Sequence, residues 1–486
     1  MSKIDVLLVY PEYTYPKKSP PLGLAYLAAV LEQKGFSVKI ADMSTIGLSC
    51  DDIKKQIITD KPRLVGISFM TNQFQNALDV AKAVKQADKN IPVITGGPHV
   101  SALPTEILDN ESVDIAVLGE GETTINHLAD FFIKGQIRDI SSIKGIAYRQ
   151  NGKVIINQPQ DLIADLDSLP LPAWHLLPVD KYAVPATGGD AAEPVFAVIS
   201  SRGCPNQCIF CDSHTIFGRK FRARSAQNIF NELVYLSKQF GVKQFDFVDD
   251  TITVNRNRIC ELCDLMISNP PSADGFKWMC NARVNTVDSE MLRMMKLAGC
   301  VRVEFGIESG DEQVLKNIKK AVTIEQIKNA HKMAKEAGLS IGSFVMVGNV
   351  GEDFLSVVKT KELLEQTDTN DVYIAIATPF PGTELYRIAQ ANAWLLITDW
   401  SRYVTAPTYL AGYQPIMRTD KMNPQEILKS FFYLHSHFAR RKFKTRYGKN
   451  FLLNKRFYKD NILNVRSYKD FKHKAKIARR LIVNYF

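Results

Sequence analysis

The stretch Ser200-Ser201-Arg202-Gly203-Cys204-Pro205-Asn206-Gln207-Cys208-Ile209-Phe210-Cys211 sets three cysteines at the spacing C-x3-C-x2-C. The apolar run Val195 to Ile199 leads into it and reads as a buried strand, and Gly203 and Pro205 then break regular structure. The thiols therefore belong on a loop just past a strand end. Three thiolates on one loop suit a soft metal or an iron–sulfur cluster. A [4Fe-4S] cluster held by three cysteines leaves one iron open, and an open iron is where a substrate or cosubstrate binds. The alternatives are zinc and three unrelated core cysteines. Structural zinc commonly takes four ligands in C-x2-C pairs, and no fourth partner lies near in sequence.

The elements that would position this loop repeat a βα rhythm. Candidate strands are Gln244 to Val248, Lys277 to Ala282, Val301 to Ile307, Ile341 to Val347 and Val372 to Ala377, with helices between them. With the strand before Cys204 this makes six parallel βα units, which predicts an open partial barrel with its chemistry at the carboxyl ends of the strands. Polar residues fall there: Asp249-Asp250, Asn281, Arg283, Glu308-Ser309 and Thr378. Cys260 and Cys263 also stand at C-x2-C spacing, but inside a helical pattern free of Gly and Pro, where buried small hydrophobes are expected.

The N-terminal third alternates short apolar strands with helices as well. Val6 to Tyr10, Val38 to Asp42, Leu64 to Ser68, Pro92 to Gly97 and Ile115 to Gly119 are the strands, and the pattern predicts a doubly wound parallel sheet. Ligands of such sheets bind beyond the carboxyl ends of the strands. The unusual residues collect at those ends: Pro20-Pro21-Leu22-Gly23-Leu24, Ser68-Phe69-Met70-Thr71, Gly96-Gly97-Pro98-His99 and Gly119-Glu120-Gly121-Glu122. Each glycine alone is an ordinary turn residue; together they let backbone approach a large ligand. Residues 141–190 read as a connector with a hairpin at Asn151-Gly152, followed by a Pro- and Leu-rich linker packed across two domains.

The cysteine loop resembles the signature of the radical S-adenosylmethionine (SAM) enzymes. The resemblance implies that Cys204, Cys208 and Cys211 bind three irons, that SAM chelates the fourth, and that Phe210 lies near the adenine. One electron from the cluster then cleaves SAM to methionine and a 5′-deoxyadenosyl radical. Phe305-Gly306-Ile307-Glu308-Ser309-Gly310 resembles the family's fourth-strand segment, implying Glu308 at the SAM ribose, Lys320 at the SAM carboxylate, and Asp249 or Asp250 at its amino group. Gly348-Asn349-Val350-Gly351-Glu352 departs from the family, which has Pro before the second Gly. The four strand-end stretches of residues 1–135 resemble the cobalamin-binding domain found upstream of many radical SAM modules. That resemblance implies cobalamin contacts from Leu22, Gly23, Ser68, Met70, Thr71, Gly96, Gly97, His99, Gly119 and Glu120. The D-x-H-x-x-G segment of cobalamin methyltransferases is missing after the first strand, where Tyr10-Pro11-Glu12-Tyr13 stands, so no histidine from that loop is expected on the cobalt.

A chain of 486 residues is long enough for roughly three domains. Eight cysteines in so long a chain are no disulfide scaffold, no apolar run reaches membrane-spanning length, and the N-terminus begins in a strand-like run without a signal peptide. A reducing cytoplasm is expected. Residues 438–486 hold 16 Lys and Arg against 2 Asp and Glu, while the rest holds 45 against 49. Phe471, Ala475, Ala478, Leu481 and Ile482 repeat at helical spacing among basic residues, the pattern of a helix that lies on an anionic membrane surface or caps a domain. No nucleic-acid-recognition module is present, and no nucleic-acid partner is expected.

The expected organisation is a cobalamin-binding domain over 1–140, the connector over 141–190, a radical SAM domain over 191–400 and a basic helical region over 401–486. The function this implies is methyl transfer to an unactivated carbon, through a 5′-deoxyadenosyl radical and methylcobalamin. Radical cyclisation or rearrangement, as in the anaerobic magnesium-protoporphyrin ester cyclase, and a non-enzymatic cobalamin or redox sensor are the alternatives. The expected cofactors are a [4Fe-4S] cluster, SAM and cobalamin. The expected partners are a small-molecule or lipid-like substrate, an electron donor of the flavodoxin or ferredoxin type, and peripheral contact with an anionic membrane.

Overall fold

The computed structural model describes residues 4–13, 19–182, 195–271, 275–406 and 412–451, together with 454 and 457. The first sheet contains β1 (Val6–Tyr10), β2 (Val38–Asp42), β3 (Leu64–Ser68), β4 (Val93–Gly96), β5 (Ile115–Val117), β6 (Ile146–Gln150) and β7 (Lys153–Ile156). Its order is β2-β1-β3-β4-β5-β6-β7, with β1 to β5 parallel and β6 and β7 antiparallel. Side chains alternate between the two faces. Val6 and Leu8 join the core under the helix Leu22–Gln33, while Leu7 and Val9 join Ile53, Ile57 and Ala77 on the other side. This period-2 burial on both faces is why the strands read as continuous apolar runs.

The order reverses between β1 and β3, which makes that crevice the ligand-binding switch point of a doubly wound sheet. The hairpin expected in the connector forms, but it belongs to this sheet. Ile146 pairs with Val117 and buries fully, so the sheet extends to Ile156, beyond the expected limit at residue 140. Residues 157–182 then cross to the second sheet. The Trp174 indole is wholly buried and donates to Glu232 at 3.0 Å, and Tyr182 donates to Asp42 at 2.8 Å.

The second sheet contains β8 (Val195–Val198), β11 (Gln244–Phe247), β12 (Lys277–Ala282), β13 (Cys300–Glu308), β14 (Ser340–Val347) and β15 (Asp371–Ile376), all parallel and hydrogen-bonded in that order. A two-stranded ribbon, β9 (Ser201–Arg202) with β10 (Arg222–Ala223), brackets the cysteine loop. Val303, Phe305 and Ile307 of β13 point to the covering helices, and Arg302, Glu304 and Glu308 lie on the opposite face. This is the expected six-stranded open barrel. Cys260 and Cys263 lie in the helix Arg256–Ser268, and Cys263 is fully buried among apolar neighbours.

The helix Pro424–Tyr447 covers β15. Asn423 and Glu426 form a capping box at its start, and Ile427, Phe431 and Leu434 bury against the barrel. Its basic residues are engaged there: Arg441 with Asp368, Lys442 with Asp371, and His437 with Glu365 at 2.9 Å. This part of the basic region is a domain cap that closes the β15 edge. The amphipathic stretch from Phe471 to Ile482 lies outside the described residues. Among the described residues no helix is long and apolar enough to cross a membrane.

Candidate active site between the two sheets

Cys204, Cys208 and Cys211 follow the carboxyl end of β8 on a loop clamped at several points. Ile209 donates to Ile318 O at 3.1 Å and accepts from Leu385 N at 2.8 Å, and Arg219 reaches Asn206 O at 2.6 Å. Two side chains address the sulfurs: Asn206 Nδ2 lies 3.2 Å from Cys204 Sγ, and Arg283 Nη1 lies 3.6 Å from Cys208 Sγ. Burial, reinforced by Asp250, Asp212 and Cys208, pushes the Cys211 thiol up to about 12. A free thiolate is therefore disfavoured here, and a positively charged iron is the partner that would reverse that preference. Phe210 is half-buried against the core beside the third cysteine.

Across the barrel mouth, Glu308 ends β13 in the left-handed region at φ 64°, where the β13–β14 register shifts. Lys319 and Ala321, on either side of Lys320, also have positive φ, at 54° and 53°. Lys320 Nζ donates to Glu308 Oε1 at 2.7 Å, with both side chains nearly buried. A Cβ at Gly306 would stand 2.7 Å from Glu308 Oε1 and 2.8 Å from Lys320 Nζ, so the pair lies directly over this glycine and would have to shift for any larger residue. Non-glycine residues in sparsely populated backbone regions cost on the order of 1–3 kcal/mol each and collect at functional sites. Arg283 also reaches the Lys320 carbonyl, which ties this turn to the cysteine loop.

The two aspartates separate. Asp249 is 1% exposed and accepts from Ser200 N at 3.1 Å, Ser200 Oγ at 2.9 Å and Ser201 Oγ. Its carboxylate fastens the end of β11 to the strand that carries the cysteines. Asp250 is exposed at the rim and accepts from Ser213 Oγ. The Gly348–Glu352 turn, lacking the family's Pro, is closed by its own acid: Glu352 is fully buried and accepts from Gly348 N at 2.6 Å and Asn349 N at 3.2 Å.

On the first sheet, Leu22, Gly23, Ser68, Met70, Thr71, Gly96, Gly97 and Gly119 all stand at the carboxyl end of the strands, as expected. Met70 is 40% exposed, whereas Thr71 is buried at the start of a short turn of helix, Thr71–Gln73. Gly97 has φ 107°, and a Cβ there would come within 2.5 Å of Phe69 O. That close backbone approach packs the loop after β4 against the loop after β3. The first loop, Tyr10 to Tyr13, is held by Gln73 Nε2 on Pro11 O at 2.9 Å and Asn76 Nδ2 on Glu12 O at 2.7 Å.

His99 is fully buried in a cage of Phe69, Phe74 and Trp400. Its Nε2 lies 3.4 Å from Glu106 Oε2, at ion-pair distance without hydrogen-bond geometry, and neither ring nitrogen has a hydrogen-bond partner. Trp400 donates to Glu106 Oε1 at 2.7 Å, so this cluster joins the chain after the barrel to the first sheet. Glu120 is 5% exposed and gripped by Arg202 at 3.0 Å, Arg222 at 2.8 Å and Ile163 N at 2.8 Å, a contact between domains. Arg202, Arg222 and Glu122 escaped sequence reading as site residues. Arg202 stood in view two positions before Cys204, but its partners lie some eighty residues away.

Fold and site together define a cobalamin-binding radical SAM protein: a doubly wound sheet and a three-cysteine barrel mouth, with the carboxyl ends of both sheets turned toward one boundary. Residues 13–129 match the B12 binding domain and residues 198–364 match the Radical SAM superfamily. The chain is 36% identical over 438 residues to an uncharacterized methyltransferase of Pyrococcus horikoshii, covering 88% of this chain and 91% of that one. It is 30% identical to the cytidylyl-2-hydroxyethylphosphonate methyltransferase of Streptomyces wedmorensis, covering 79% and 81%. The solved structure of the cobalamin-dependent S-adenosylmethionine radical enzyme OxsB superposes with a TM-score of 0.73 at 16% identity, covering 99% of this chain and 80% of that one, a likeness of fold. The chain belongs to the family of cobalamin-dependent radical SAM enzymes. Its cofactors are a [4Fe-4S] cluster, SAM and cobalamin, and the residues present suit them: three thiols on one loop with two nitrogen donors near their sulfurs, a buried acid–base pair at the barrel mouth, and small residues at the carboxyl ends of the first sheet.

Proposed function

We propose that this enzyme methylates an unactivated carbon of a small molecule. The observation that carries the reading is the placement of the three-cysteine loop and the strained Glu308–Lys320 pair at one barrel mouth, beside a B12-binding sheet. When bound, the cluster and SAM supply a carbon-centred radical, and cobalamin carries the methyl group. Cys204, Cys208 and Cys211 would hold the irons, with Asn206 and Arg283 as donors toward the sulfurs. Phe210, Glu308, Lys320 and Asp250 would bind and orient SAM. Leu22, Gly23, Ser68, Met70, Thr71, Gly96, Gly97 and Gly119 would bring backbone and small side chains against the corrin, with His99 behind them. Buried side chains around the pair exclude water, which strengthens its hold on a charged ligand.

The preference for methylation over cyclisation rests on the 36% and 30% identities to methyltransferases. A reduced protein of the flavodoxin or ferredoxin type would supply electrons. Residues 458–486 hold eight Lys and Arg against two Asp, and we assign any anionic-surface contact to them. The test is anaerobic reconstitution with cluster, cobalamin and SAM labelled at its methyl group, in the presence of a metabolite extract. The expected result is 5′-deoxyadenosine together with label in a small-molecule product. 5′-Deoxyadenosine without label transfer would favour cyclisation or rearrangement, and no 5′-deoxyadenosine would overturn the enzyme reading.

A further inference from the structure

The loop after β5 was expected to face cobalamin, yet its two acids turn to the cysteine loop. Arg202, on β9 two residues before Cys204, donates from Nη1 to Glu120 Oε1 at 3.0 Å and from Nη2 to Glu122 Oε1 at 2.6 Å. Arg222, its partner on β10, donates to Glu120 Oε1 and Oε2 at 2.9 and 2.8 Å, and to Ile163 O at 2.6 Å. All four side chains are more than nine-tenths buried, and the two positive and two negative charges cancel. The Arg202 guanidinium also lies 5.2 Å from the Tyr26 ring of the first domain and 5.5 Å from the Phe217 ring beyond the cysteines. Nearby charges hold Arg202 firmly in its protonated form against the cost of burial.

We infer that this four-charge clasp is a positioning element that fixes the cluster loop against the cobalamin-binding sheet, so that the radical-forming and methyl-carrying centres stay in register. The inference rests on the proposed function. A planar guanidinium that spans two carboxylates with separate Nη donors, as Arg202 does with Glu120 and Glu122, fixes direction as well as distance, which a flexible lysine does not. The clasp joins the base of the Cys204 loop directly to the end of β5. Two guanidinium groups and two carboxylates face one another across the domain boundary, and their role is geometric. Placement matters because small misalignments of reacting centres cost large factors in rate.

The test uses the holoenzyme loaded with cluster and cobalamin, and compares wild type with Glu122→Gln and Arg202→Lys. Iron and cobalt content, Tm and dithionite-driven SAM cleavage are measured beside the electron-paramagnetic-resonance interaction between reduced cluster and cob(II)alamin. The expected result is loading and SAM cleavage within about twofold of wild type, but a weakened and broadened spin–spin interaction and a fall on the order of tenfold in label transfer per 5′-deoxyadenosine. A merely structural role would lower Tm and all activities together and leave the interaction unchanged in the folded fraction, and that result overturns the inference. If Glu122→Gln does not fold, Arg202→Lys, which keeps the charge, carries the same comparison. Amide exchange in wild type is a variant-free check: residues 119–122 and 201–204 should open as one unit, and independent opening overturns the clasp. A wild-type chain that takes up neither cofactor overturns the functional reading, and the clasp with it.

Discussion

Lys320 Nζ stands 2.7 Å from Glu308 Oε1 although Glu308 occupies the left-handed region and Lys320 sits between two further positive-φ residues. Three strained residues around one buried ion pair are a local conflict that packing alone does not require. Such conflicts belong where backbone geometry serves a ligand. Glu308→Gln keeps one acceptor oxygen for Lys320 but removes its counter-charge, so it should lose stability as well as SAM affinity. Calorimetric titration of the cluster-loaded variant with SAM checks this. Affinity equal to wild type would remove Glu308 from the site. Lys320→Met leaves a buried carboxylate unpaired and should cost about 3–5 kcal/mol of stability, read from urea unfolding.

Replacing Cys204, Cys208 and Cys211 together by Ala should abolish the bound iron and the broad absorbance near roughly 400 nm expected of a cysteine-ligated cluster. Cys260→Ala and Cys263→Ala should keep both, since these thiols lie in a helix away from the loop. Iron retained by the triple variant would refute the cluster assignment.

Glu352 gives a pH signature. Burial raises its carboxyl from 4.5 to about 7, against the pull of the Gly348 and Asn349 amides. A group whose folded value is raised favours the folded state below its unfolded value and withdraws that support as pH rises through the folded one. Stability should therefore fall between about pH 4.5 and 7 from this group, by at most about 3 kcal/mol. Glu352→Gln should flatten that part of the curve and raise Tm at neutral pH. A variant with the wild-type slope would show that the acid is already ionised in the fold.

Much of the architecture is local and was legible. Apolar residues recurring at alternate positions located all six barrel strands to within a residue or two at either end. The cysteine spacing located the loop. What could not be read depends on partners remote in sequence. Asp249 looked like a free strand-end acid, but Ser200 and Ser201 occupy it. Glu120 looked like part of a glycine-rich ligand loop until Arg202 and Arg222 came against it. The hairpin at Asn151-Gly152 was clear, but its pairing with β5 required knowing which edge was open. Left-handed φ at Glu308 has no sequence signal, since glutamate is not a residue that turns select.

The basic C-terminal region divides into two parts with different expected behaviour. Between Pro424 and Tyr447 two cations are committed to the barrel, Arg441 to Asp368 and Lys442 to Asp371, with Phe431 and Phe438 buried beneath. Burial would raise the Asp371 carboxyl, but Lys442 and Arg302 outweigh it and hold it below its ordinary range. Ending the chain after residue 437 removes these pairs and the last turns of the helix, leaving Asp371 beside Arg302 alone and the β15 edge less covered. That truncation should lower Tm and impair SAM cleavage for structural reasons. Ending the chain after residue 457 leaves the cap intact and removes the basic stretch that follows. Each basic residue near an anionic leaflet contributes about 1 kcal/mol, and salt screens that attraction. The full chain should therefore float with anionic liposomes at low salt and not at high salt, while the chain ending after residue 457 should not float and should cleave SAM as fast as the full one. Equal flotation of both chains would place the attraction elsewhere on the enzyme, and loss of SAM cleavage in the longer truncated chain would make residues 458–486 part of the active architecture.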